Sequence, residues 1–351
     1  MSDVIDRSTT ERSPADRRPG SLPDLDLASV EIPAQTFFQI APPTQLAETL
    51  RLRLTEQCYL PKASDPLKDW IARVACPAFQ NYRRRRPLAA ERLERFCTIG
   101  TGAGLDALVA AEILRPGLIA VTDLHRDVVD QAMSNILANL ETPERLILRS
   151  GVGDLLAPFQ NSQLRFDLIY ENLPNIPLPD GVSLDDGQAS SSFIAARGES
   201  VPALAQSYLM DLHYAFLLQA HRFLNPDGAV LCSIGGRLPL QAMLQTFAAA
   251  GYDAEIILYS WKIQSEPDEV ITGYAEAQQA GHGPFHFYLA EDLAAFFAKQ
   301  PEITGNAGAE VLEKQLRPKQ IDAATALTLH RQGKTIGHTV AVIEGRPKKA
   351  A

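Results

Sequence analysis

The sequence predicts an α/β protein: a doubly wound, mostly parallel sheet that follows a small helical N-terminal region. Three observations carry this. From residue 93 onward, short apolar runs alternate with helical patterns, the βαβ order that implies parallel strands joined by right-handed crossovers. A glycine-rich turn, Cys97-Thr98-Ile99-Gly100-Thr101-Gly102-Ala103-Gly104, joins the first of those runs to the first helix. Another buried-strand pattern, Phe166-Asp167-Leu168-Ile169-Tyr170, runs straight into Glu171-Asn172-Leu173-Pro174-Asn175-Ile176-Pro177. Loops at the ends of buried strands can present polar groups to a ligand, and proline stiffens the backbone that does so.

The elements follow in chain order. Residues 1–34 are rich in Ser, Asp, Arg and Pro and read as a disordered arm. Residues 35–92 carry helical patterns, Thr44–Leu50 and Asp65–Val74 among them; Asp65-Pro66 has the form of an N-cap followed by Pro at the first helical position. The α/β region, 93–351, opens with a strand over Arg95–Ile99, then the glycine turn and a helix through Leu114. A strand over Leu118–Thr122 and a helix from Arg126 to Asn139 follow. Leu146–Arg149 and Phe166–Tyr170 are strands. Ala203–Phe223 reads as one long helix ended by Asn225-Pro226-Asp227-Gly228, with a strand over Ala229–Ile234 and a helix over Leu238–Ala250 behind it. Residues 178–202 read as a polar lid and 262–335 as an insertion. Thr335–Glu344 and Phe285–Tyr288 both qualify as the last strand.

Composition bounds the function. Of 351 residues, 46% are hydrophobic and 21% charged, an ordinary soluble composition. A net charge of -9 argues against a broad phosphate-binding surface, hence against nucleic acid, and suits a small cationic substrate. The basic run Arg83-Arg84-Arg85-Arg86 reads as a solvated helix face pairing with Glu91 and Glu94. Cys58, Cys76, Cys97 and Cys232 are scattered, without a CxxC pair, which points to reduced thiols, a cytoplasmic location and no zinc site. No apolar run reaches the ~18 residues of a membrane span. His282 and His286 are interrupted by Gly283-Pro284 and do not form a helical metal pair, so no metal is expected. The helical N-terminal region offers a surface either for a homodimer or for capping a pocket.

The glycine turn lacks the Gly-Lys-Ser/Thr of a phosphate loop, and Leu105 stands where a dinucleotide fold has its third glycine. That spacing disfavours a nicotinamide dehydrogenase. Gly100, Gly102 and Gly104 let a ligand approach the backbone closely at a helix N-terminus. Asp123 ends the second strand, where a carboxylate can accept both ribose hydroxyls, and Asp154 follows the third in Gly153-Asp154-Leu155, where it can accept from an adenine amino group. Both residues can equally serve as a helix cap or a turn residue.

In this order the glycine turn, Asp123 and Gly-Asp-Leu resemble class I S-adenosylmethionine-dependent methyltransferases over about residues 93–260. The resemblance implies a seven-stranded, mostly parallel sheet and S-adenosyl-L-methionine as cofactor. Phe166-Asp167-Leu168-Ile169 followed by Asn172 resembles the branch that methylates release-factor glutamine, whose motif is Asn-Pro-Pro-Tyr. Arg222-Phe223-Leu224-Asn225-Pro226-Asp227-Gly228 resembles the family's later helix-turn-strand. By that resemblance Asn172 binds the substrate nitrogen. Leu173 and Asn175 replace the family's first proline and its stacking aromatic, and Glu171 adds an acid. A carboxylate there suits a guanidinium better than a neutral amide. The loop is similar to that of free L-arginine N-methyltransferases of nitrosourea natural-product pathways. The expected catalytic pair is therefore Glu171 and Asn172, and the expected activity N-methylation of a guanidino nitrogen. Arg197, Tyr208, His213 and Arg237 are candidates to hold the rest of a free amino acid, the two arginines for its carboxylate. Two alternatives stay open: a protein-glutamine methyltransferase and a non-catalytic cofactor-binding scaffold.

Overall fold

The computed structural model describes residues 28–86, 93–300 and 304–349. Its elements are β1 (Ala28–Pro33), α1 (Ala34–Phe38), β2 (Thr49–Leu54), α2 (Cys76–Arg85), β3 (Arg95–Ile99), α3 (Leu105–Ile113), β4 (Leu118–Asp123), α4 (Arg126–Asn139), β5 (Ile147–Val152), β6 (Phe166–Glu171), β7 (Ile176–Pro177), β8 (Phe193–Ile194), α5 (Ala203–Ser207), α6 (Asp211–Ala220), β9 (Leu224–Gly236), α7 (Leu240–Ala249), β10 (Tyr252–Ile263), α8 (Pro267–Gln279), β11 (Tyr288–Leu289), α9 (Ala290–Phe297), α10 (Asn306–Leu316), α11 (Ala323–Arg331) and β12 (Ile336–Pro347). The main sheet runs β5-β4-β3-β6-β9-β12-β10, with the two-residue β11 paired to the start of β12. Strands β5, β4, β3, β6 and β9 are parallel; β12 is antiparallel to both its neighbours, β9 and β10, so β10 runs with the rest. The predicted doubly wound, mostly parallel sheet is what the chain forms.

Both faces of the sheet are covered, which is why β4 is a continuous apolar run, Leu118-Ile119-Ala120-Val121, and not an alternating one. Helices α2, α3 and α4 pack on one face, α6 and α7 on the other. α2 anchors the N-terminal region to the sheet through Phe79, whose ring meets Phe96 and Tyr170 edge-on at 5.7 and 4.9 Å. Each such pair adds about 0.5–1.5 kcal/mol beyond simple burial.

The N-terminal region is not mainly helical. β1 and β2 form an antiparallel hairpin, and Thr44–Leu50 is a loop running into β2. The alternation Leu50-Arg51-Leu52-Arg53-Leu54 buries every leucine and exposes every arginine, a period of two that only a strand satisfies. The free edge of β2 is closed by two asparagines one helical turn apart on α4. Asn135 accepts from Arg53 N at 3.0 Å and donates to Arg53 O at 2.9 Å; Asn139 does the same to Arg51 at 2.7 and 2.9 Å. Asn135 also donates to Ala103 O at 3.0 Å, tying this hairpin to the glycine turn. Asp65 makes no side-chain cap; the capping acid is Asp69, which accepts from Ile71 N and Ala72 N, both at 2.8 Å. Of the expected arm, residues 1–27 lie outside the described residues, and the part from Ala28 to Pro33 is β1.

One further expectation is corrected, and the structure supplies what the sequence left open. The helix expected over Ala203–Phe223 breaks at Leu209, whose φ of 56° is left-handed, so α5 and α6 are separate. Sequence reading passed over β10, although Ile256-Ile257-Leu258-Tyr259 is a buried apolar run; among the described residues it is an edge strand paired with β12 alone. In the basic run, Arg85 pairs with Glu255 and Arg83 donates to Ile113 O, while Glu91 lies outside the described residues. The last strand is β12, inserted between β9 and β10, and the insertion supplies α8 to α11 beside it.

Gly345 in β12 faces Val230 and Phe247, where an added Cβ would come within 2.8 and 2.9 Å of their side chains. Gly345→Ala is expected to lower stability by about 1–3 kcal/mol through overpacking, read as a lower urea midpoint at unchanged slope.

Candidate functional site

In an open α/β sheet, ligands bind beyond the carboxyl ends of the strands where the strand order reverses. Here that point lies between β3 and β6, which pair in parallel with Ile99 opposite Glu171. The glycine turn leaves β3 and the Asn172 loop leaves β6, so the two meet side by side. A Cβ built on Gly100 would lie 3.6 Å from the Leu173 side chain. Between them opens a cavity of about 370 Å³, within the range of roughly 300–1,000 Å³ typical of small-molecule sites. Asn172, Asp123 and Asp154 all line it, together with parts of three other segments. These are the N-terminal stretch around Asp69 and Trp70, the lid around Ser190–Arg197, and the insertion from Gln264 to Tyr274.

The glycines of the turn have φ of 66°, 50° and 84°, a left-handed path. Gly104 is required twice over, because a Cβ there would also sit 3.1 Å from Ile136 and 3.2 Å from Ala132 O. Gly100 N and Thr101 N donate to Thr122 O at 2.9 and 3.1 Å, and Gly102 N donates to Asp123 Oδ2 at 3.1 Å. The turn is thus held to the ends of β4, and Asp123 is held to the turn. Burial raises the Asp123 carboxyl, against the lowering effect of the Gly102 and His125 N–H groups. Beside it, Thr122 Oγ1 is buried without a partner among the described residues.

The lid is ordered by short-range contacts. β7 pairs with β8, Leu178 N donates to Ile194 O at 2.9 Å, and Ser190 Oγ lies 3.1 Å from His125 Nε2 at the start of α4. Arg197 forks onto Asp154 at 2.9 and 3.0 Å and also pairs with Glu199. Arg197 is therefore satisfied by two acids at the Asp154 end of the cavity, and is not the free cation expected to hold a substrate carboxylate. Its guanidinium stays charged: the hydrogen bonds to Asp154, then Glu199, raise it, only partly offset by burial.

Glu171 is the main correction. The strand period of two sends Tyr170 to the cavity side and Glu171 to the other face of the sheet, beneath α6. There it is fully buried, with Oε1 2.9 Å from His213 Nδ1 and Oε2 accepting from Leu173 N at 2.9 Å. It does not line the cavity, and both its oxygens are engaged within the fold. Its work is to fix the first bend of the Asn172 loop from behind. His213 is its partner, and Tyr208 packs between apolar clusters; neither lines the cavity. Arg237 does line it, beside Tyr274.

Sequence reasoning missed Asp106, Asp69, Gln264 and Tyr274 as lining residues. Asp106 was within reach, as an acid in the first turn of the helix that follows the glycines. It accepts from the Thr98 hydroxyl, from Thr101 Oγ1 at 3.0 Å and from Ala107 N at 2.8 Å. Burial outweighs these bonds and pushes its carboxyl up to about 6. Tyr274 carried no local signal: it reaches Asn175, 99 positions away, through a hydrogen bond of 2.6 Å. Among the described residues no cluster of three His, Cys, Asp or Glu is placed to hold a metal ion, and no helix is long and apolar enough to cross a membrane.

The sheet order, with its one reversed strand β12 between β9 and β10, and the switch point between β3 and β6 are those of the class I methyltransferase fold. No family model matches the chain, and no curated protein matches it. Solved structures with similar folds include a ribosomal-protein methylase from Lactobacillus delbrueckii subsp. bulgaricus, at 20% identity and a TM-score of 0.32 over 50% of this chain and 67% of that one. A TehB-like SAM-dependent methyltransferase from Corynebacterium glutamicum has 18% identity and a TM-score of 0.32, over 52% and 76% of the two chains. A cyclopropane synthase from Mycobacterium tuberculosis has 15% identity and a TM-score of 0.36, over 83% and 90%.

Two outcomes test the electrostatics. Because the folded Asp106 carboxyl sits above its ordinary value of 3.8, its contribution is full below that value and lost as pH rises through about 6. The stability of the wild type relative to Asp106→Asn is expected to fall between pH 4 and 7, by on the order of 2–3 kcal/mol, in urea unfolding at a series of pH values. For the buried pair, Glu171→Gln and His213→Phe are expected to couple by about 0.5–3 kcal/mol in a double-mutant stability cycle. Simple additivity would show that the contact contributes nothing.

Proposed function

We propose that the protein is an S-adenosylmethionine-dependent N-methyltransferase acting on a guanidino nitrogen of a small molecule, with free L-arginine the first candidate. One observation carries the reading: Asn172 and the Asp123-bound glycine turn open onto the same cavity, their loops in contact through Gly100 and Leu173. The residues present fit the cofactor. The left-handed glycine turn admits a close ligand, Asp123 offers a carboxylate at the place a ribose would occupy, and the unpartnered Thr122 hydroxyl lies beside it.

When bound, the cofactor supplies an already reactive sulfonium methyl, so what remains for the protein is positioning. The Asn172 carboxamide oxygen accepts an N–H of the substrate and orients that nitrogen. The prolines at 174 and 177 and the Glu171 bond to Leu173 N stiffen the loop that holds it. The lid, tied to His125 and Asp154, forms one wall of the cavity. Methylation of a guanidinium nitrogen releases one proton, which passes to solvent while the methylated guanidinium keeps its charge.

With Glu171 facing away, support for a cationic acceptor group comes from the cavity itself. Its lining holds five acids (Asp69, Asp106, Asp123, Asp154 and Glu266) and two arginines; with Glu266 paired to Lys62 and Asp154 to Arg197, three acids stand against Arg237. Such a surplus favours a bound cation. The glutamine alternative has no corresponding feature.

The test is incubation with labelled S-adenosylmethionine and a panel of free amino acids, guanidino compounds and release-factor peptides. Label is expected in L-arginine; label in a release-factor glutamine and none in any guanidino compound would sink the substrate reading. Asn172→Ala is expected to lower kcat about 10²-fold, the cost of a small misplacement of the reacting nitrogen, with cofactor affinity unchanged in calorimetry.

A further inference from the structure

Arg237 follows β9 and is only 6% exposed, yet it lines the cavity. Its three hydrogen bonds go to neutral groups. Nε donates to Gln264 Oε1 at 3.0 Å, Nη1 to the Tyr274 hydroxyl at 3.3 Å, and Nη2 to His338 Nε2 at 3.2 Å. Among the described residues no carboxylate pairs with it, whereas Arg197 on the same cavity has two. A buried charge without a countercharge is costly, so its retention needs an explanation.

The surroundings deepen the imbalance. His338 accepts from Arg237, which leaves Nδ1 to donate to Thr339 O at 2.7 Å. Burial, then Arg237 and Lys262, hold that imidazole well below its usual range, so it stays neutral. Lys262 is fully buried nearby; burial, then Arg237, push its ammonium down to about 7. This corner of the cavity already repels further positive charge and holds one fixed guanidinium.

That guanidinium is also precisely oriented by the fold. Its central carbon stands 4.9 Å from the Tyr274 ring centroid. A Cβ on Gly235 would lie 2.1 Å from Nη1, so the glycine makes room for the group. Tyr274 donates to Asn175, three residues along the loop from Asn172. A guanidinium has five N–H donors, and three are used here. The two that remain match the two oxygens of a carboxylate.

We propose that Arg237 is the carboxylate anchor of the methyl-acceptor site, so the acceptor carries a free carboxylate, as a free amino acid does and an amine does not. This rests on the cavity being the acceptor site, but not on the acceptor nitrogen being a guanidine. A planar two-oxygen acid is favoured over phosphate because only two donors are free.

The experiment is isothermal titration, in the presence of S-adenosylhomocysteine, with two pairs: L-arginine and its decarboxylated form agmatine, and L-glutamine and its decarboxylated form 4-aminobutanamide. Inorganic phosphate is a fifth titrant. At least one acid is expected to bind about 30-fold or more tighter than its decarboxylated partner. Arg237→Met is expected to bring that ratio close to 1, and Arg237→Lys, which keeps the charge but loses the fork, to leave an intermediate ratio. Normal affinity of each variant for S-adenosylhomocysteine certifies the fold. A preference seen only in the glutamine pair refutes the guanidino reading and supports the anchor. No preference in either pair (including no binding by any of the four), phosphate binding tighter than both acids, or a preference that survives in Arg237→Met overturns it.

Discussion

The parallel pairing of β3 with β6 at the centre of the sheet is the contact on which the rest of the molecule depends. The chain reaches β6 only after β4 and β5 have been laid down on the far side of β3, so the strand order reverses between these two neighbours. The helices after β3 and β4 cover one face, and those flanking β9 cover the other. Two loops whose sequences begin 72 positions apart, at Gly100 and Asn172, meet at the end of that seam, where a Cβ on Gly100 would lie 3.6 Å from the Leu173 side chain. Without that register neither loop has a partner.

Around the seam the protein adds walls from distant parts of the chain. The N-terminal hairpin is closed against α4 by Asn135 and Asn139 acting as a substitute strand edge, and Asn135 carries the connection on to Ala103 in the glycine turn. The lid is pinned through Asp154 and His125. The insertion brings α8, and with it Tyr274, over the loop that holds Asn172. The enclosure also sets the electrostatics. Burial raises Asp106 and Asp123 at the glycine-turn end and lowers Lys262 and His338 behind Arg237, so one cavity has an acid-rich end and a corner with an unbalanced cation.

Much of this was legible in local sequence. The strands and helices from Arg95 to Asn139, the glycine turn, Asp123 and the Asn172 loop are visible because apolar periodicity, glycine and proline act over a few residues. The N-terminal hairpin was legible too, in the Leu-Arg alternation from Leu50 to Leu54, and was outweighed by a helical pattern beginning at Thr44. Glu171 shows a different limit. Its position beside Asn172 is a sequence fact, but which face of the sheet it takes depends on the strand's pleat. One residue's difference in that alternation moves a carboxylate from the ligand side to a buried bond with His213.

By itself the sequence determined the fold class, the cofactor-type turn and the amide at the end of β6, since each is encoded by residues adjacent in the chain. Only the tertiary structure decided that Glu171 supports the loop from behind and that Arg197 is neutralised by Asp154 and Glu199. It alone left Arg237 inside the cavity with only neutral partners. Those outcomes depend on contacts between residues tens to about a hundred positions apart, as in the bond from Arg237 to His338, 101 positions on. The burial that sets the charge balance exists only once the sheet, lid and insertion have closed around them.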